Sequence, residues 1–264
     1  MRKILMILIA VMALVSCSKN DEDENVEKIV AEPVFEKQTY EFSGVEYPYQ
    51  KAEIFCTESA KPKIVVYLHG GTSKGGDNEK QMSEPGIDSI FNYLKINHIS
   101  SIFIIPQCPE KSSDGRMCDW VKMSSAVEFL IKNCTADNSG VYLFGGSMGG
   151  TGTWNMLSQY PGLFAAAMPC AGNPKGCNAD NVAKTPVYAV MGGADKIMKP
   201  DDVKLQDFLD EVKNNGGVYR FDTEPSWDHE KTCTLSYSSE RLKVVFSYDQ
   251  KISDVCAADI TTSF

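Results

Sequence analysis

The sequence predicts an α/β domain built on a mostly parallel central sheet with helices on both faces. Three observations carry this. Short Val- and Ile-rich runs recur between segments of helical periodicity. The runs are apolar throughout rather than alternating, as strands buried on both faces are. Clusters of Gly, Pro and Asn separate the two kinds of segment. Strands alternating with helices imply parallel pairing through right-handed crossovers. Reactive groups then collect at the carboxyl ends of the strands. The 264 residues, 43% of them hydrophobic, suit a single domain of this class.

Tyr40 to Phe42 and Lys51 to Cys56 read as short strands around a Gly- and Pro-containing turn. Lys63 to Leu68 is a buried strand leading into His69-Gly70-Gly71-Thr72. Asp77 to Leu94 is mixed and becomes helical after Pro85. Ser101 to Ile105 is the next buried strand, stopped by Pro106. Trp120 to Lys132 has helical spacing, with Val121, Val127, Leu130 and Ile131 on one side. Val141 to Phe144 is a strand that enters a Gly-rich turn, and a helix leaves it through about Tyr160. Strands follow at Phe164 to Pro169, Val187 to Met191 and Val218 to Thr223. A helix spans Asp201 to Asn214, with Asn215-Gly216-Gly217 as its stop. Leu235 to Tyr248 reads as a last helix.

The chain begins with Arg2 and Lys3, then an apolar run from Ile4 to Val15. That run is too short to cross a bilayer and has the length of a signal-peptide core. Leu14-Val15-Ser16-Cys17 resembles the lipobox of bacterial lipoproteins. The resemblance implies cleavage after residue 16 and lipidation of Cys17, which would attach the protein to a membrane. Ordinary signal cleavage with Cys17 unmodified is the alternative. Residues 17–35 open with the acidic stretch Asp21 to Glu24, which reads as a solvated tether. It is similar to the export tag of surface lipoproteins in Bacteroidetes-type bacteria; a simple periplasmic spacer is the other reading. The expected organisation is a leader at 1–16, a tether at 17–35 and a catalytic domain at 36–264.

Formal net charge is −9, and about −11 once Arg2 and Lys3 are removed. A chain this acidic repels phosphate backbones, which argues against nucleic acid as a partner. Apart from Cys17, eight cysteines remain, an even number consistent with disulfides in an exported chain. Cys108 with Cys118 and Cys170 with Cys177 are the local pairings; buried free thiols are the alternative. No CxxC spacing occurs and only three histidines are present. No metal or other cofactor is therefore expected.

Gly145-Gly146-Ser147-Met148-Gly149 matches G-x-S-x-G with a strand entering and a helix leaving. That context marks the nucleophile elbow of an α/β-hydrolase fold, with Ser147 exposed at the turn. A Gly-rich turn with a capping serine is the competing reading. A serine hydroxyl needs a base, and the fold orders its triad Ser, Asp or Glu, His. Of His69, His98 and His229, only His229 follows Ser147. Asp195, at the turn after the Val187 to Met191 strand, is the expected acid; Asp201 and Asp202 are the reserves and read more as helix caps. The backbone N–H of Met148 and one from Gly71 or Thr72 are the expected oxyanion donors. His69 is expected to be structural.

Leu68-His69-Gly70-Gly71, Gly75-Gly76-Asp77-Asn78, Ile105-Pro106-Gln107-Cys108-Pro109, the elbow with Thr151-Gly152-Thr153-Trp154, Gly193-Ala194-Asp195 and Asp228-His229 occur in one order. Together they resemble the feruloyl-esterase and poly(hydroxyalkanoate)-depolymerase-like carboxylesterases. Prolyl-oligopeptidase-like hydrolases share much of the pattern. The resemblance spans roughly residues 40 to 250. It implies the triad Ser147, Asp195, His229 and places Gln107 and Trp120 in the substrate pocket, with core packing as the other role for Trp120. Two positions depart from the pattern. Met191-Gly192 stands where relatives carry a histidine, and Trp227-Asp228 replaces a glycine before His229.

The implied activity is an exported serine carboxylesterase working through an acyl-enzyme on small-molecule or glycan esters, removing acetyl or feruloyl groups. A peptidase is the first alternative; the chain offers no room for a gating propeller. A hydrolase-fold binding module without catalysis is the second. Oligomeric state is not legible.

Overall fold

The structure is a computed structural model that describes residues 32–55, 61–134 and 140–248. The leader, Cys17, the tether up to residue 31, Cys56, Cys256 and the Cys134 side chain lie outside that description. Chain order begins with a hairpin, β1 (Glu36–Phe42) and β2 (Val45–Ile54). Ser43 and Gly44 turn it, with φ of 53° and 76°. Positive φ at both central residues is the turn whose twist matches the flanking strands. The turn therefore lies before Pro48 rather than at it. Pro48 sits inside β2, where its carbonyl accepts from the Gln107 N–H at 2.9 Å.

Six further strands follow: β3 (Lys63–Leu68), β4 (Ser101–Pro106), β5 (Val141–Gly146), β6 (Ala166–Cys170), β7 (Val187–Gly192) and β8 (Tyr219–Glu224). Their spatial order is β1-β2-β4-β3-β5-β6-β7-β8. β1 and β2 pair antiparallel, as do β2 and β4; every other pairing is parallel. Strand order runs outward from β3 to β4 and then reverses to β5. A crevice opens at the carboxyl ends where such a reversal occurs. The loops that leave β3 and β5 flank it.

Helices cover both faces. α2 (Trp120–Cys134), α3 (Met148–Gln159), the short α4 (Ala179–Val182) and α6 (Leu205–Asn214) bury one apolar layer with Ile64, Val66, Leu68, Ile104 and Leu143. α1 (Pro85–Ile96) and α8 (Ser239–Phe246) bury the other with Val65, Tyr67, Phe103, Tyr142 and Phe144. Burying each such side chain contributes about 1.5–3 kcal/mol. Phe35, just before β1, packs on Phe91 and Phe103.

Three helices differ from expectation. Val121 of α2 is exposed, and Trp120 and Met123 take the inner face with Val127, Leu130 and Ile131. Positions 120, 123, 127, 130 and 131 lie on one stripe, and 121 points away from it. The helix expected from Asp201 is broken at Lys204, with φ of 49°, into α5 (Pro200–Val203) and α6. The helix expected over Leu235 to Tyr248 is shorter, α8, whose cap Ser238 accepts from the Arg241 N–H, and a separate helix, α7 (His229–Leu235), precedes it. Serine bonded to nearby backbone favours a cap over a helix interior.

Candidate active site

Ser147 follows β5 and caps α3, with φ of 58° and ψ of −119°. That is strained backbone for a residue with a side chain, held only where its surroundings demand it. Here they do. The Ser147 N–H donates to the Cys170 carbonyl at 3.0 Å, and the Ser147 carbonyl accepts from the Thr151 N–H at 3.0 Å. A methyl on Gly149 would lie 1.8 Å from the Leu68 carbonyl oxygen. Glycine there lets the first turn of α3 settle against the end of β3. Met148 opens α3, where first-turn N–H groups have no partner within the helix.

His229 is the first residue of α7. Its neighbour Asp228 caps the helix, the carboxylate accepting from the Lys231 N–H at 2.9 Å. The Ser147 hydroxyl donates to His229 Nε2 at 2.7 Å. His229 Nδ1–H donates to Asp195 Oδ2 at 2.7 Å. Asp195 follows β7 and its side chain is fully buried. Its other oxygen accepts from the N–H groups of Ile197 and Met198, both at 2.8 Å. Three side chains far apart in sequence thus form one hydrogen-bonded line. Asp201 and Asp202 lie in the first turn of α5, whose cap is Lys199 rather than either of them.

Gly71 and Thr72 are exposed in a single 3-10 turn beside the elbow. A methyl on Gly70 would reach 3.8 Å from Ser147 Cβ and 3.2 Å from Glu84 Oε1. The loop therefore sits against the nucleophile. Its supports lie underneath. His69 Nε2 accepts from the Cys108 N–H at 2.9 Å, and Nδ1–H donates to the Gly70 carbonyl at 2.6 Å. Burial holds the imidazole neutral, its pKa lowered to about 4. Fixing the Gly70 carbonyl also fixes the planar peptide it shares with Gly71, whose N–H points the opposite way. Glu84 accepts from the Gly70 N–H at 2.9 Å and from Ser73 Oγ at 2.6 Å.

Gln107 and Trp120, which the resemblance places in the substrate pocket, do not border the cavity beside Tyr47. Both are fully buried. Gln107 Oε1 accepts from the Asn78 N–H at 2.8 Å, and Nε2 donates to Asp77 Oδ1 at 2.8 Å. That bond, with two backbone N–H groups, lowers the Asp77 pKa to about 2. Trp120 Nε1–H donates to the His69 carbonyl at 2.8 Å, its ring edge-on to the imidazole. These polar atoms are spent on the loop rather than on a ligand. Glu84 escaped the sequence reading, because nothing local ties a carboxylate at the start of α1 to a loop fourteen residues earlier.

Cys170 and Cys177 are not brought together. Cys170 joins the layer under α1 and α8, and Cys177 packs on the opposite layer. Among the described residues no group of His, Cys, Asp and Glu could hold a metal ion. A cavity of about 340 Å³ lies between Tyr47, Gly75, Gly76, Lys111 and Ser112, and no residue of the Ser–His–Asp line borders it.

Chemically, the arrangement can remove the Ser147 proton as its oxygen attacks a carbonyl, with Asp195 holding the imidazole in the needed tautomer. The backbone donors can receive the oxygen that gains charge.

No family model matches the chain. It is 30% identical to feruloyl esterase B of Thermothelomyces thermophilus over 129 residues, 47% of this chain and 44% of that protein. It is 30% identical to acylamino-acid-releasing enzyme 1 of Oryza sativa subsp. japonica over 138 residues, 51% of this chain and 17% of that protein. The chain thus spans less than half the length of these curated relatives. Among solved structures it resembles a thermostable esterase, at a TM-score of 0.70 and 21% identity, covering 81% of this chain and 63% of that one. It also resembles the feruloyl esterase module of Clostridium thermocellum complexed with sinapinate, at 0.60 and 15%, covering 79% and 87%. With the strand order and the elbow, these likenesses establish that the chain has the α/β-hydrolase fold.

Proposed function

We propose that this chain is a serine hydrolase of carboxylic esters that works through an acyl-enzyme. The observation that carries the reading is the unbroken line from Ser147 through His229 to buried Asp195, both bonds at 2.7 Å. Ser147 attacks the ester carbonyl as Nε2 takes its proton. The tetrahedral oxyanion accepts from Met148 and from Gly71 or Thr72. His229 then protonates the leaving alcohol, and water, activated by the same imidazole, releases the acid.

Three finer parts of the reading have separate supports. The half-chain match to a feruloyl esterase supports an ester substrate, and acetyl or feruloyl groups on glycans are the class we favour. Arg2, Lys3, the apolar run and Leu14-Val15-Ser16-Cys17 support export and a lipid anchor on Cys17. The match to an acylamino-acid-releasing enzyme supports a second reading, cleavage of acylated peptides.

One experiment separates them. The full chain is incubated with a fluorophosphonate probe, then with p-nitrophenyl acetate, methyl ferulate, acetylated xylo-oligosaccharides and acyl-peptide anilides. Labelling that disappears in Ser147→Ala, with esters cleaved faster than anilides, is the expected result. Faster anilide cleavage selects the peptidase. A folded chain that neither labels nor turns over any substrate is a binding module.

A further inference from the structure

Cys108 and Cys118 flank an excursion of the chain that folds back on itself. Lys111 and Met117 form an antiparallel bridge across it. The Cys118 N–H donates to the Glu110 carbonyl at 2.9 Å, and the Ser112 N–H to the Arg116 carbonyl at 2.9 Å. Both cysteines are almost fully buried in one apolar layer, their side chains are neighbours, and both are free thiols in this structure, each donating to the carbonyl of the residue that follows it. The other three described thiols sit elsewhere, with Cys233 near Cys170. Cys170 faces the hydroxyls of Ser236 and Tyr237, Cys177 faces Ser158, and Cys233 packs beneath Gly146.

What the two cysteines hold gives the pair its meaning. The Cys108 N–H donates to His69 Nε2 at 2.9 Å, and its carbonyl accepts from the Gly75 N–H at 3.0 Å. The Cys118 carbonyl accepts from Lys74 Nζ at 2.5 Å. Two residues on, Trp120 Nε1–H reaches the His69 carbonyl. Both cysteines therefore grip the segment 69–75 from its two ends. Pro109, Lys111, Ser112 and Ser113, inside the excursion, also form one wall of the cavity beside Tyr47.

We propose that Cys108 and Cys118 form a structural disulfide that clamps the loop carrying Gly71 and Thr72. The oxidant is a small-molecule or protein disulfide of an oxidising compartment. One cysteine thiolate attacks it, forming a mixed disulfide and expelling one thiol. The second cysteine thiolate then attacks the first cysteine's sulfur and expels the other thiol. Two protein thiols and one disulfide become one protein disulfide and two thiols. Burial pushes the Cys108 thiol well above its ordinary range, and a thiol held protonated exchanges slowly. Exchange is therefore faster while the excursion is open than once Cys108 is buried.

The supply of oxidant rests on the export reading, and the bond itself is tested without any assay of activity. The full chain is isolated from the bacterial envelope, unfolded in alkylating reagent and digested for mass spectrometry. The expected product is a peptide pair joined through Cys108 and Cys118, two hydrogens lighter than the two thiol peptides. Reduction during unfolding and refolding should lower Tm by roughly 5–10 °C. In Cys108→Ala/Cys118→Ala the Tm should no longer respond to reductant. Cys118→Ala alone, should the double variant fold poorly, gives the same reading. Alkylated Cys108 and Cys118 in chain refolded with oxidised glutathione, or either one paired elsewhere, overturns the proposal. If the linked peptide is present but fluorophosphonate never labels Ser147, the clamp stands and the hydrolase reading falls.

Discussion

Gly192 and Trp227 touch backbone to backbone: a methyl on Gly192 would lie 2.3 Å from the Trp227 carbonyl oxygen and 2.3 Å from Thr232 Oγ1. The Ala194 N–H donates to that same carbonyl at 3.0 Å. This contact seats the loop bearing His229 on the turn bearing Asp195. Gly192→Ala should push residues 227–232 outward. We expect kcat to fall more than tenfold and Tm by several degrees, in line with overpacking costs of about 1–3 kcal/mol. Ester kinetics and a thermal melt of the variant check this. Unchanged kcat would mean the loop yields freely.

His229→Ala should lower kcat by at least roughly 10³-fold, because triad members act as a unit. Asp195→Asn should do so with the fold intact. Its amide oxygen can still accept from Ile197 and Met198, while its NH₂ faces Nδ1 and selects the wrong tautomer. Circular dichroism beside the kinetics separates the two effects. A loss under tenfold in His229→Ala would falsify the choice of base.

Glu84 is expected to position the oxyanion loop. Glu84→Gln keeps an oxygen for Gly70 and Ser73, and should retain activity within a few-fold. Glu84→Ala removes the acceptor and should lower kcat by roughly 10-fold or more with KM little changed, since weakening an oxyanion donor acts on the transition state. Equal losses in both variants would point to charge rather than loop position.

His69 makes stability depend on pH. Its pKa is about 4 in the folded chain against 6.5 ordinarily, because burial disfavours the charged ring. Between those values the unfolded chain takes up a proton that the folded chain refuses. Stability is therefore complete above about pH 6.5 and falls as pH drops toward 4, by up to about 3 kcal/mol. Denaturation midpoints at pH 7 and pH 4.5 should converge less in wild type than in His69→Gln. Equal pH sensitivity in both proteins would show that carboxylates alone carry the effect.

Much of the architecture was legible because local patterns report it directly. The run from Lys63 to Leu68 is a strand with those limits, since a segment buried on both faces must be apolar throughout. The elbow is legible for a similar reason: glycines at fixed offsets around Ser147 record a turn that tolerates no Cβ. Helix phase and breaks were less legible. Val121 and Lys204 depend on which neighbour covers a helix, and that neighbour is distant in sequence.

The sequence alone determined the succession of strands and helices along the chain, the position of the nucleophile on its turn, and the identity of His229, because a single histidine follows Ser147. Only the tertiary structure decided what Gln107, Trp120 and Glu84 do. Their hydrogen bonds run to Asp77 and Asn78, to His69 and to Gly70, partners set by where loops from different strands converge above the sheet. A buried polar side chain must find such a partner, and which one it finds is a property of the assembled fold rather than of its own neighbours in the chain.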